Sequence, residues 1–151
     1  MRPIGLVLLL AMVVAGTGCT RSGDTDSKKG QDGAERAMFA NAKPVVLRPE
    51  VVNPEPASVS TARKRTDRTV ELLLTTGAEP CGILQRVEVH EGDESIRVAA
   101  FLGTDPAAFK DGVVTCPSGG IPATTTVRLR QPVGDRRIVD DTSGQPIRLI
   151  R

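Results

Sequence analysis

The sequence predicts a small all-β fold: an antiparallel β-sandwich or open barrel with one short helical turn and one disulfide. Three observations carry this expectation. Between Arg68 and Arg130 the apolar residues recur with a period of two rather than 3.6. The alternating runs are rich in β-branched side chains and are separated by turns containing Gly and Pro. Two cysteines, Cys81 and Cys116, sit within the same stretch.

Taken in order, Val70, Leu72 and Leu74 face one way, with Thr69, Glu71 and Thr75 the other. Leu73 interrupts the alternation, which predicts a strand covered on both faces. Ile83, Gln85, Val87 and Val89 alternate with Leu84, Arg86, Glu88 and His90; Ile96, Val98, Ala100 and Leu102 alternate with Arg97, Ala99 and Phe101. The turn Glu91-Gly92-Asp93-Glu94 joins these two runs into a β-hairpin. Thr104 and Asp105 then precede Pro106 and good helix formers, predicting a helical turn that lays Phe109 over an open edge of the core. Thr125, Val127 and Leu129 against Thr126, Arg128 and Arg130 make another strand. Upstream, Pro44, Pro49, Pro54 and Pro56 restrict Pro44 to Ser60 to an irregular first strand, since proline suits edges. Downstream, Gly134-Asp135 and Thr142-Ser143-Gly144 are turns around a short strand at Ile138 and Val139, and Ile147 and Leu149 return to the core.

The start of the chain has another character. Arg2, the apolar run Ile4 to Val14 and the small residues that follow read as an export signal over residues 1–18. The apolar run is about half the ~20 residues of a membrane-spanning helix. Residues 19–43 are rich in Ser, Gly, Asp, Lys and Gln and predict a flexible linker, with a transient helix over Glu35 to Ala42. Asp24-Thr25-Asp26 opens like a calcium loop, but Lys28 and Lys29 break the pattern. The β domain then occupies residues 44–151.

Thr17-Gly18-Cys19 resembles the lipobox of bacterial lipoproteins, with Gly16 where Leu is usual. The resemblance implies that Cys19 becomes the lipidated first residue of a mature chain anchored to the cell membrane on its extracytoplasmic side. An odd number of cysteines in an exported chain needs such an explanation. With Cys19 lipidated, Cys81 and Cys116 remain to form a disulfide with each other, a bond that survives outside the cytoplasm. Two thiols without a Cys or His cluster make a poor zinc site, and no Cys-x-x-Cys suggests redox work. The region from Val70 to Leu149, and above all Pro132-Val133-Gly134-Asp135-Arg136 with the strand and Asp140-Asp141 turn after it, resembles small secreted or lipid-anchored proteins of actinobacteria. That group brings no established activity, so it implies an address and a fold.

No catalytic, metal or cofactor site is predicted. His90 is the single histidine and sits at a strand end, beside Arg86 and Glu88. Glu91, Asp93 and Glu94 read as a solvated hairpin tip. Arg63, Lys64, Arg65 and Arg68 form a basic surface suited to anionic headgroups or acidic wall polymers, or else a solvated loop or a charged edge that blocks aggregation. The net charge of +2 and the absence of Trp and Tyr argue against nucleic acid as partner. The sequence therefore predicts a non-enzymatic cell-envelope lipoprotein, an accessory or interaction module with an envelope protein as partner. The alternative is a small-ligand carrier with a pocket inside the β domain.

Overall fold

The computed structural model of the chain describes residues 24–150. The export signal and Cys19 lie outside the described residues. An α-helix, α1 (Asp24–Asn41), leads into nine strands: β1 (Lys43–Pro44), β2 (Val52–Ala57), β3 (Val59–Thr66), β4 (Thr69–Thr76), β5 (Ile83–Glu91), β6 (Ser95–Thr104), β7 (Ile121–Arg128), β8 (Arg137–Asp140) and β9 (Pro146–Ile150).

The strands form one curled sheet, a half-barrel, in the order β1-β7-β4-β3-β9-β8-β6. On one side of β6 lies β5, along Ile96 to Gly103. On the other side β8 and β2 follow end to end, β8 beside Ser95 to Val98 and β2 beside Ala100 to Thr104. Most pairings are antiparallel, but β1–β7, β3–β9 and β6–β8 are parallel.

The two halves of the curl share one aliphatic core. Ala62, Val70, Leu72 and Leu74 from one half meet Leu84, Ile96, Val98 and Ala100 from the other, and Leu129, Val133, Ile138 and Ile147 fill between them. Val70, Leu72 and Leu74 are at most 1 % exposed. Leu73 is equally buried, but on the opposite face, so β4 is covered on both sides as its broken alternation predicts.

The cover over Leu73 corrects the expectation of a flexible linker. Residues 24–41 form a helix, and Phe39 packs on Leu73 and Ile150 outside the sheet. The Arg63 guanidinium stacks on the Phe39 ring, 4.6 Å from its centroid, and Glu35 pairs with Arg148 at 3.1 Å. A polar composition does not show these long-range contacts, and they supply the ordering energy that the local sequence lacks. The Pro106–Ala108 turn is a 3-10 helix whose N-cap is Asp105, accepting the Ala107 N–H at 2.9 Å.

Cys81, at the entrance to β5, is bonded to Cys116, at the approach to β7, with a Cα–Cα distance of 5.5 Å. The crosslink closes a loop of 35 residues. Replacing both cysteines by Ala is expected to cost about 4 kcal/mol, the chain-entropy value for such a loop, read as a lower urea midpoint. Phe39→Ala is expected to cost about 3 kcal/mol by emptying the contact on Leu73 and Ile150. Faster amide exchange in α1 than in β4 checks that the helix, not the sheet, is loosened.

Candidate functional site

The half-barrel does not close. Its terminal strands, β5 and the β1–β7 pair, run in the same direction without pairing to each other. Each end of this seam is tied. At one end residues 45–48 cross from strand to strand: the Val45 N–H donates to Thr124 O at 2.8 Å and the Arg48 N–H to Leu84 O at 2.9 Å. At the other end the Glu91 carboxylate, 7 % exposed, accepts the Arg130 and Gln131 N–H groups at 2.6 and 3.1 Å.

Arg136 completes the second tie. Its guanidinium, 9 % exposed, reaches Glu91 Oε2 at 3.3 Å and donates to the carbonyls of Gly92, Gln131 and Pro132. Burial alone would raise the Glu91 pKa; the two backbone N–H groups and Arg136 outweigh it and hold the carboxyl below its ordinary range. The Pro-x-Gly-Asp-Arg run thus has a structural reading. Val133 plugs the core, Gly134 turns the chain at φ 54°, and Arg136 returns to Glu91. Glu91 is therefore no part of a solvated hairpin tip, whereas Asp93 and Glu94 are exposed.

At the first tie Arg48 is an ionic hub, touching Glu50 at 2.6 Å, Asp105 at 3.0 Å and Glu79 at 3.3 Å. Its hydrogen bond lowers the pKa of Glu50. Asp105 is lowered first by the Ala107 N–H and then by Arg48. Beside the hub, Val46 is 80 % exposed and Leu47 48 %.

The basic cluster is split between the surface and ion pairs: Arg65 and Arg68 are exposed, Arg63 and Lys64 half-buried. Arg63, Lys64 and Arg65 lie on β3, between β4 and β9, and β9 runs beside it only as far as Arg63. Arg63 binds Glu71 through two donors, at 2.9 and 2.6 Å, and Arg65 adds a third contact at 3.0 Å. Lys64 pairs with Asp67 at 2.6 Å, and Arg68 is exposed. Burial would raise the Glu71 pKa, and the two arginines hold it below its ordinary value instead. Three of the four cations are thus paired with carboxylates, of which only Glu71 is buried. His90 is exposed at the end of β5, opposite Arg97.

The clefts lie on the surface, not inside the sheet. A recess of about 430 Å³ beside the disulfide is lined by Asn53, Glu55, Leu102, Phe109, Val114 and Cys116 among others. Phe109 is half-buried there, as a wall of this cleft. Asn53 adopts a left-handed φ of 51° where the β2–β6 register shifts. Among the described residues no group of three His, Cys, Asp or Glu is arranged to hold a metal ion, and no helix is long and apolar enough to cross a membrane.

Neither a family model, nor a curated protein, nor a solved structure matches this chain.

Arg136→Met is expected to cost about 3 kcal/mol, because it leaves the Glu91 carboxylate buried without its cation. The depressed folded pKa of Glu91 sets the sign of the pH effect. Its stabilisation is complete above the ordinary glutamate value of 4.5 and is lost as pH falls through the lower folded value. Urea midpoints measured down to pH 2 should therefore fall less steeply in Glu91→Gln than in the native chain.

Proposed function

We propose that this chain is a non-enzymatic accessory module of the cell envelope, held to the outer face of the membrane by a lipid on Cys19 and acting through its folded surface. The disulfide is compatible with an extracytoplasmic protein, and the small residues before Cys19 favour the lipid anchor. The observation that carries the reading is the free edge of β5, open from Arg86 to His90 beside an aliphatic core. A strand edge of this kind takes up an extended segment through main-chain hydrogen bonds, with side-chain pockets adding selectivity. The second reading, a small-ligand carrier, is favoured by the cleft beside the disulfide.

Two measurements test this. The native chain should partition into the detergent phase of a membrane extract, and Cys19→Ser into the aqueous phase; equal partition counts against the anchor. A photoreactive side chain at Glu88, on the β5 edge, should give a discrete protein adduct in the native envelope. Adducts confined to a probe at Glu55, in the cleft, would favour the carrier.

A further inference from the structure

Exposed strand edges invite pairing with another chain, and natural proteins block the ones they do not use. The free edges of this sheet differ in that respect. On β2, Pro54 and Pro56 interrupt the ladder. On β7, β1 covers Ala123 and Thr124, and Pro122 precedes them. On β5 the Arg48 N–H and the Gln85 side chain, which donates to Val51 O at 2.6 Å, occupy only the beginning. From Arg86 to His90, short of the Glu91 tie to Arg130 and Gln131, there is no proline and, among the described residues, no neighbouring strand on that side.

The side chains on this stretch are suited to one partner. Arg86 and Glu88 project from the same face and pair with each other at 2.7 Å, so the edge carries both signs. Arg86 is held in place by stacking on Phe101, 3.8 Å from the ring centroid. Between them Val87 turns inward onto the core, as does Val89. A strand with + then − on one face is complementary to itself when reversed. We propose that β5 pairs edge to edge with β5 of a second copy of this chain, antiparallel about Val87.

In that register Arg86 of each copy faces Glu88 of the other, giving two opposite-charge cross-strand pairs. Centring on Glu88 would instead set two carboxylates face to face. Centring on Val89 would run Arg86 past the strand end, against the Gly92 turn. The pairing is isologous, so it closes as a dimer and leaves no further β5 edge free. Val46, beside Ile83 and Leu84, adds exposed apolar surface next to each end of the paired segment. So short a ladder falls below the area of a stable free dimer. Confinement of both copies to one membrane surface raises their effective concentration and compensates.

This inference rests on the interaction-module reading, and its test separates the two. The full chain in its native membrane, carrying a photoreactive side chain at His90, should yield a band at twice the monomer mass. Arg86→Glu and Glu88→Arg, made singly, should each reduce that band at least tenfold. Co-expression of the two variants should restore it, because opposite charges again face each other, and so should the double exchange in one chain. Rescue excludes a folding defect as the cause of the loss. Absence of the dimer band in the native chain, or single variants that dimerise undiminished, overturns the self-pairing. If the probe then captures a different protein, the module reading stands; if it captures nothing, both fall.

Discussion

A curled sheet that stops short of closing has two raw edges, and its shape depends on what keeps them together. Here that burden falls on the Glu91 carboxylate at one end of the seam and the crossing of residues 45–48 at the other. A strand pair would need a continuous ladder; Glu91 instead substitutes its two oxygens for the missing carbonyls. The arrangement holds because Arg136 compensates the buried charge and is itself held by four backbone carbonyls. With both ends tied, Val87, Val89 and Val127 can pack against the shared core without β5 and β7 touching as strands.

Within those ties the interior is filled almost wholly by Leu, Val, Ile and Ala, in a chain that has three Phe and neither Trp nor Tyr. Aliphatic side chains bury less area each than large aromatics, so a domain of this size has a thin margin. The Cys81–Cys116 bond adds to that margin from outside the core, by restricting the unfolded chain. It also anchors the long excursion after β6, alongside the Asp105 cap, the Asp105 N–H to Pro80 O bond and the Asp105–Arg48 pair.

Much of this was legible in the sequence. Strands β4, β5, β6 and β7, the turn at Pro106 and the closing strands β8 and β9 follow from period-two patterning and turn residues. The disulfide follows from counting cysteines. Strand β3 was hidden, because Arg63-Lys64-Arg65 reads as surface, and the carboxylate that absorbs two of those charges belongs to Glu71 on the neighbouring strand. The docking of α1 was equally silent: one buried aromatic, Phe39, meets two residues far from it and from each other in sequence, Leu73 and Ile150. Glu91 looked like any acidic turn residue, since its partners stand about forty positions away. What periodicity cannot convey is which distant strand a side chain will face, and the parallel pairings of β3 with β9 and β6 with β8 are of that kind.

Those parallel pairings have a consequence for the order of assembly. Strands β8 and β9, from residues 137–150, are the inner staves that join the β3 half of the sheet to the β6 half. A chain emerging N-terminus first can form the β3–β4 and β5–β6 hairpins early, but they remain separate leaves until residues 137–150 arrive to bind them. Cooperative closure thereby waits for residues 137–150, and removing them would disconnect the middle of the sheet rather than trim its margin.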